Sequence, residues 1–201
     1  MKVLIACEFS GTVRDAFIDK GHDAISCDFR DSEKDGPHYQ GDVFDIIDHG
    51  WDLLIAHPPC TYLSRAGACR LYKKGGIIRD KERLKNGYDA KEFFMKLLNA
   101  SIEKICIENP VPMKIFNLPP FTQIVQPYQF GHPYSKKTLL WLKGLPILLS
   151  TGIMANYEQF LPSNTSARAR QGKSPKGTVR KKIDAQRTFL GIAEAMANQW
   201  G

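Results

Sequence analysis

The stretch that decides the fold is Lys2–Thr12, which reads KVLIACEFSGT. A short, nearly continuous apolar run of this kind is typical of a strand that is buried on both faces of a parallel sheet. Small residues then predict a turn, and residues 13–20 carry apolar side chains at helical spacing up to Gly21. The beginning of the chain is therefore predicted to form a strand, a tight turn and an amphipathic helix.

The same order of elements recurs along the chain. Apolar runs that end in polar residues or proline predict further strands at 24–27, 52–56, 104–107, 122–125 and 138–142. Helical spacing predicts helices at 90–100 and 185–200. Strands and helices in alternation indicate one α/β domain over residues 1–201, with a Rossmann-like, doubly wound and mostly parallel sheet. Ligands of such sheets bind at the carboxyl ends of the strands.

The composition excludes several classes of protein. The chain has 201 residues, of which 43% are hydrophobic and 24% charged, as in a soluble globular domain. We expect no membrane span, because no run of 18 apolar residues occurs, and the apolar N-terminal run is too short for a secretory signal. The five cysteines form no Cys-x-x-Cys pair, so we expect neither a disulfide framework nor a zinc site, and a cytoplasmic protein.

The positive charge is concentrated in two segments. Residues 65–85 carry a net charge of +6 and residues 163–187 one of +7, which leaves −6 for the remainder. We predict two basic loops, 61–88 and 161–182, the second of which lacks any apolar period. Such concentration favours a polyanionic partner such as nucleic acid, although solvated loops that only maintain solubility are the alternative.

Two residues that carry reactive groups follow predicted strands. Cys60 comes after two prolines just beyond the strand at 52–56, and a cysteine held there is a candidate nucleophile. Taken alone, a free cysteine is more often a small buried hydrophobic residue. Glu108 comes directly after the strand at 104–107, where a cap or a surface charge is the ordinary interpretation. Each residue alone is weak evidence for an active site, and the pair is stronger.

Together these motifs resemble the DNA (cytosine-5) methyltransferase family, whose members use S-adenosylmethionine to methylate C5 of cytosine. The matching segments are PPCTYLS at 58–64 and Glu-Asn at 108–109. In that family a Pro-Cys loop supplies the nucleophile, and a Glu-Asn motif supplies the acid that contacts the pyrimidine ring. The resemblance therefore implies that Cys60 is the nucleophile and Glu108 the acid of a DNA (cytosine-5) methyltransferase.

The resemblance also implies where S-adenosylmethionine would bind. The segment ACEFSG at 6–11 is similar to the first cofactor loop of the family. Asp28 lies where an acid binds the ribose of the cofactor, and Asp42 resembles the acid that faces the adenine amino group. The cofactor-binding residues implied in this way are Glu8, Phe9, Ser10, Gly11, Asp28, Asp42 and Pro58, and no metal is implied.

The segment FGHPYSKK at 130–137 is similar to the Tyr-Gly-x-Pro-Gln-x-Arg motif of the family, with Tyr134 and Lys136 in place of glutamine and arginine. The resemblance implies that Lys136 positions the ring edge or a phosphate. About 45 residues separate Lys136 from the last predicted helix, too few for an independent target-recognition domain. We therefore expect weak sequence selectivity, or selectivity from a partner subunit. The expected DNA contacts are Ser64, Arg65, Arg168, Arg170, Arg180 and Lys181.

Other functions stay open or are excluded by particular residues. The acceptor can also be RNA or a free pyrimidine nucleotide. The departures at Tyr134 and Lys136 leave open a catalytically degenerate subunit that only binds nucleic acid. A zinc deaminase is excluded because the chain has no His-x-Glu and carries Leu63 where the second cysteine would stand. His57 and Cys60 disfavour an amino-methyltransferase, which uses Asp/Asn-Pro-Pro-aromatic, and no Gly-x-Gly-x-x-Gly follows the first strand.

Overall fold

The computed structural model describes residues 1–158 and 187–201. Its strands are Lys2–Ala6 (β1), Asp23–Asp28 (β2), His38–Gln40 (β3), Leu53–Ala56 (β4), Lys104–Asn109 (β5), Gln123–Val125 (β6) and Thr138–Lys143 (β7). Its α-helices are Thr12–Ile18 (α1), Ala68–Leu71 (α2), Lys81–Leu98 (α3) and Leu190–Trp200 (α4). Short 3₁₀ turns, such as Arg65–Gly67, connect several of these elements.

All of these strands join one sheet in the order β3-β2-β1-β4-β5-β7-β6. The first five strands in this order run parallel to one another, and β7 runs antiparallel to both β5 and β6. The strand order reverses between β1 and β4, since the chain builds outward to β3 and then returns to the other side of β1. The prediction of a Rossmann-like, doubly wound and mostly parallel α/β sheet is therefore confirmed, and its switch point lies between β1 and β4.

Both faces of the sheet are buried, which explains why the central strands contain unbroken apolar runs. In β1, Val3 and Ile5 belong to a core shared with α1 and α4, whereas Leu4 and Ala6 belong to a second core shared with α3. The four side chains are completely buried. Because successive side chains of a strand point to opposite faces, a strand covered on both sides must be apolar throughout.

The structure begins helix α3 at Lys81, well before the predicted start at residue 90. The Asp80 side chain caps the helix by accepting a hydrogen bond of 2.8 Å from the Arg83 amide. The basic loop predicted at 61–88 therefore ends at Asp80, and it also contains the short helix α2. The first turns of α3 are strongly charged, so apolar spacing alone does not reveal them.

Two other boundaries differ from those predicted. Strand β3, His38–Gln40, was not predicted because its three residues lie at the sheet edge and carry no apolar pattern. Helix α4 begins at Leu190, after Phe189 in extended backbone, although the spacing predicted a helix from residue 185. The predicted basic loop 161–182 lies outside the described residues. Within the described part of the chain, none of the helices combines the length and the apolar character that crossing a membrane requires.

Candidate active site

A cavity of about 450 Å³ opens at the carboxyl ends of β1 and β2, beside the switch point of the sheet. This volume lies in the range of clefts that hold small molecules and cofactors. The described residues that line it are Cys7, Cys27, Asp28, Phe29, Arg30, Gly41, Asp42, Val43, Pro59, Ala90 and Phe93. The structure therefore places Asp28 and Asp42, the two predicted cofactor acids, in one cavity.

Each of these two acids also bonds to residues near it in the chain. Oδ1 of Asp28 accepts hydrogen bonds from the backbone N–H and Nε of Arg30, at 3.0 and 3.2 Å. Oδ1 of Asp42 accepts a hydrogen bond of 3.0 Å from the Phe44 amide, which caps a 3₁₀ turn. Since a carboxylate has about four acceptor positions, both acids keep the capacity to bind ligand hydroxyl or amino groups.

Apart from these two acids and Arg30, the wall of the cavity is mainly apolar and uncharged. Phe29, Val43 and Phe93 contribute apolar side chains. Burial and the nearby Asp28 carboxylate raise the pKa of the Cys27 thiol to about 12, and burial raises the pKa of Cys7 even further. Both sulfurs therefore remain neutral at physiological pH and act as small apolar groups. An aromatic, apolar wall facing two carboxylates suits a nucleoside.

The side chains of the loop after β1, for which cofactor binding is expected, make hydrogen bonds within the fold. The buried Glu8 carboxylate accepts hydrogen bonds from the amides of Val13 and Arg14, at 2.7 and 3.2 Å, and from Oγ of Ser10, at 3.1 Å. A carboxylate at this position accepts hydrogen bonds from the free amides of helix α1, and its negative charge interacts favourably with the positive end of the helix dipole. The Glu8 and Ser10 side chains thus hold the helix rather than face the cavity.

The other two residues of that loop also support the local fold. Gly11 has φ of 67°, and a side chain there would collide with the buried Arg14 guanidinium, so the turn requires glycine. The Phe9 ring lies 3.5 Å below the Arg30 guanidinium, which orders a residue of the cavity wall. No side chain from 8–11 is among the described residues that line the cavity.

The Pro-Pro-Cys loop is held by a side chain at the end of β5 and by a backbone hydrogen bond within the loop. Nδ2 of Asn109 donates a hydrogen bond of 3.0 Å to the Pro58 carbonyl, and the Ser64 amide donates one of 2.9 Å to the Cys60 carbonyl. Pro58 is therefore tied to the framework, and its neighbour Pro59 lines the cavity. Cys60, the next residue, is exposed. The loop thus connects the cavity wall directly to the candidate nucleophile.

A second anchor of this loop comes from helix α3. The Arg83 guanidinium donates a hydrogen bond to the Thr61 carbonyl and lies 5.0 Å from the centre of the Tyr62 ring. Arg83 is buried and anchors the loop, although it was predicted to lie in the basic loop 61–88.

Glu108 lies at the end of β5 between two basic side chains. Nδ1 of His57 donates a hydrogen bond of 2.8 Å to Oε2 of Glu108, and Lys136 lines one small cleft with Glu108. Burial alone would raise the pKa of Glu108, but the charge of Lys136 and the contact with His57 lower it to about 2. Glu108 is therefore ionised at neutral pH.

Cys60 responds to the same group of charges. Although Cys60 is exposed, partial desolvation by the surrounding protein raises the pKa of its thiol, the Glu108 carboxylate raises it further, and Lys136 acts in the opposite direction. In this state of the protein Cys60 is therefore mainly a thiol at neutral pH. The electrostatic interaction nevertheless shows that Cys60, Glu108 and Lys136, which sequence analysis selected from three separate segments, lie at one place.

The segment at 130–137 connects this site to the last helix. Nε2 of His132 accepts a hydrogen bond of 3.0 Å from the Gly191 amide at the beginning of α4, and its ring packs on Phe189. Tyr134 lies near the same phenylalanine and pairs with Glu158 through a backbone bridge. The segment therefore supports α4 and brings Lys136 to Glu108.

The residues expected to contact DNA divide into two groups. Ser64 is buried, and its Oγ accepts a hydrogen bond of 3.2 Å from the Ala66 amide, so its side chain caps a 3₁₀ turn instead of facing a ligand. Arg65 is exposed beside the Cys60 loop and is accessible to a phosphate. The other expected contacts, Arg168, Arg170, Arg180 and Lys181, lie outside the described residues.

In the sequence, His57 is evidence only against an amino-methyltransferase. The register of the sheet explains its contact with Glu108, because Ala56 of β4 is paired with Ile107 of β5, and His57 and Glu108 are the next residues. A titratable residue directly after one strand, opposite an acid after its neighbour, is the signal that could have indicated this contact.

Comparisons with known proteins give a limited result. No family model matches the chain, and no curated protein sequence matches it. One similar solved structure is described as a structure analysis of the methyltransferase EhMeth of Entamoeba histolytica, with 16% identity and a TM-score of 0.45. The match covers 80% of this chain and 57% of that chain, so this protein spans little more than half of that methyltransferase.

Proposed function

We propose that this protein transfers a methyl group from S-adenosylmethionine to C5 of a cytosine in DNA, through a covalent adduct of Cys60. One observation carries the proposal. A cysteine and a glutamate at the ends of the adjacent strands β4 and β5 interact electrostatically, and the residue before the cysteine lines a cavity of nucleoside-binding character.

The cavity fits the cofactor in the chemistry of its residues. Asp28 and Asp42 supply carboxylates for hydroxyl and amino groups, while Phe29 and Phe93 supply aromatic surface for a purine. Bound there, S-adenosylmethionine would supply an electrophilic methyl group. The closeness of Pro59 to both the cavity and Cys60 supports the idea that cofactor and acceptor meet at this loop.

The roles of the residues follow from the reactivity of the pyrimidine. C5 of cytosine is a poor nucleophile until a thiolate adds to C6 and turns the ring into an enamine. Cys60 would form the bond to C6, and Glu108 would bind N3 and the exocyclic amino group, where charge develops. Lys136 would steady the same ring edge and favour the thiolate. Because the pKa of Cys60 is raised, the proposal requires the thiol to give its proton to water before it adds to C6.

DNA is the acceptor that we propose, on the basis of charge. Arg65 stands exposed next to the Cys60 loop, and a second basic segment at 163–187 carries a net charge of +7. Basic segments bind phosphate backbones without reading the bases. A base inside a duplex cannot reach Cys60, so the target would be flipped out or single-stranded. A separate subunit for sequence selectivity is part of this proposal.

RNA, a free pyrimidine nucleotide, or a catalytically inactive nucleic-acid-binding role are the other candidates. Transfer of tritium from labelled S-adenosylmethionine would be measured with single-stranded DNA, duplex DNA, RNA and dCMP as acceptors. We expect transfer to DNA, and 5-methylcytosine in its hydrolysate. Preferred transfer to RNA or dCMP would show that RNA or the free nucleotide, and not DNA, is the acceptor. Binding of DNA without transfer to any acceptor, and without binding of S-adenosylmethionine, would overturn the enzyme proposal.

A further inference from the structure

His57 forms a fixed pair with the proposed acid. Its Nδ1 lies 2.8 Å from Oε2 of Glu108, and the side chains are only 11% and 18% exposed. The backbone N–H of His57 donates a hydrogen bond of 2.9 Å to the Ala6 carbonyl, and the Pro-Pro segment follows directly. The imidazole is therefore held at the edge of the sheet, with its orientation toward Glu108 set by the backbone.

The other nitrogen of this ring is unusual. Nε2 of His57 is buried, and within residues 1–158 and 187–201 it has no hydrogen-bond partner. Nδ1 is therefore the ring nitrogen through which His57 bonds another described side chain. Among the described residues, the charged or titratable groups near Glu108 are His57 from the end of β4, Cys60 from the loop, Lys136 from the segment before β7, Cys106 from β5 itself, and Arg187, which lines one cleft with Glu108 and Lys136.

The proposed reaction creates a need for a proton at this place. The Cys60 thiol first gives its proton to water, and the electron pair of the thiolate then forms the S–C6 bond. The C5=C6 pair then moves to C4–C5, and the C4=N3 pair moves to N3, which must take up a proton. Glu108 is ionised at neutral pH and has no proton of its own to give. The N–H of His57 is the donor that already points at its carboxylate.

We propose that His57 is a positioning residue that orients Glu108 and passes the Nδ1 proton to it as Glu108 protonates N3. The step requires an imidazole with a proton on each nitrogen, and it ends with a neutral ring that keeps the proton on Nε2. When Cys60 later departs, the C5 proton goes to water, its pair re-forms C5=C6, and the S–C6 pair returns to sulfur. N3 then returns its proton to His57 through Glu108. This inference rests on the proposed function.

The test uses the part of the reaction that needs no methyl donor. Addition of Cys60 and protonation of N3 make C5 basic enough to take a deuteron from D₂O, so reversal leaves deuterium at C5. Exchange into a cytosine-containing single-stranded oligonucleotide would be followed by mass spectrometry. The wild-type protein would be compared with His57→Phe, which has no hydrogen bond to Glu108, and with His57→Asn, which keeps a donor near the Nδ1 position. His49→Asn, at an exposed histidine, is the matched control.

We expect exchange to fall about 100-fold or more in His57→Phe, within the range of general acid–base effects. In His57→Asn, oligonucleotide affinity should equal that of the wild type, because the hydrogen bond to Glu108 is kept. The exchange rate should still be at least about 10-fold below that of the wild type, and the plot of exchange rate against pH should lose one of its two slopes. His49→Asn should match the wild type. If His57→Phe does not fold, as judged by circular dichroism, the rate and pH profile of His57→Asn decide the matter.

Two results would overturn the inference, and they are distinguishable. A wild-type rate and pH profile in His57→Asn would show that the hydrogen bond suffices and that no proton passes through the ring. Wild-type protein that neither exchanges C5 hydrogen nor transfers methyl groups would overturn the proposed function and this inference together.

Discussion

The two halves of the carboxyl edge of the sheet hold their acids in different ways. At the β1–β2 half, Asp28 and Asp42 accept hydrogen bonds from residues two positions along the chain, Arg30 and Phe44. At the β4–β5 half, Glu108 is held by His57, which is 51 residues away in the sequence, and by the charge of Lys136. In the first half, local hydrogen bonds orient the acids of a cavity, whereas in the second half charges from separate elements act on one acid. Substitutions should therefore affect ligand affinity in the first half and reactivity in the second.

The largest effect that separates the two halves is expected from Cys60→Ser. The wild-type protein should form a stable covalent adduct with a 5-fluorocytosine oligonucleotide, because fluorine cannot leave C5 as a proton does. In Cys60→Ser this adduct and methyl transfer should both disappear, because the hydroxyl group is a much weaker nucleophile. Affinity for S-adenosylmethionine, measured by calorimetry, should stay unchanged. Cys69→Ser, at another exposed cysteine, is the control. An adduct in Cys60→Ser, or one attached to Cys69, would contradict the assignment.

The balance of charges can be tested through the reactivity of Cys60. Because Glu108 raises the pKa of Cys60 and Lys136 lowers it, Glu108→Gln should move the pH profile of alkylation downward and Lys136→Met should move it upward. At pH values below the pKa, lowering the pKa by about 1 raises the thiolate fraction about tenfold. Iodoacetamide rates would be measured in a Cys69→Ser background. Methyl transfer should nevertheless fall in Glu108→Gln, by about 10²–10⁴-fold.

Opposite movements of the profile in the two variants would establish that the charges act on one sulfur. An alkylation profile that is identical in the wild type and in both variants would show that Glu108 and Lys136 do not reach Cys60. The reactivity of Cys60 would then not depend on the charges of Glu108 and Lys136, and the proposed difference between the two halves would be wrong.

A smaller effect is expected from the acids of the cavity. Asp28→Asn and Asp42→Asn should each weaken S-adenosylmethionine binding by about 1–3 kcal/mol, or roughly 5- to 150-fold, because each loses a charged hydrogen-bond acceptor. The alkylation profile of Cys60 should not change. Asp52→Asn is the matched control, since Asp52 binds the Lys2 amide just before β4 begins. Unchanged affinity in both cavity variants would place the cofactor elsewhere.

The smallest effect is expected on DNA affinity, and it involves residues that lie outside both halves of the edge. Each phosphate neutralised by the protein should add about 0.7–0.9 to the slope of log affinity against log salt. Replacing Arg168, Arg170, Arg180 and Lys181 by alanine should flatten that slope and weaken all DNA sequences alike, as fluorescence anisotropy would show. Lys2 and Lys20, both exposed, serve as the control pair. Clean methylation of one short motif by the purified protein would contradict the expected weak selectivity.

Much of the fold could be predicted because it depends on local patterns. The apolar runs of β1, β4 and β5 follow from burial on both faces, and Asp28, Cys60 and Glu108 could be selected because each follows such a run. Two parts of the structure could not be predicted in this way. The charged beginning of α3 depends on the Asp80 cap and on the burial of Arg83, and the edge strand β3 depends on pairing with β2.

The sequence by itself determined the class of fold and the list of candidate residues, since periodicity and the ends of strands are properties of neighbours along the chain. Only the tertiary structure decided what those residues touch. In the fold, Glu8 accepts hydrogen bonds from the amides of α1, Ser64 caps a 3₁₀ turn, and His57 forms a hydrogen bond with Glu108. The direction of a side chain and its pKa depend on groups that the fold brings near from distant segments, and the register between β4 and β5 is set by packing over the whole sheet.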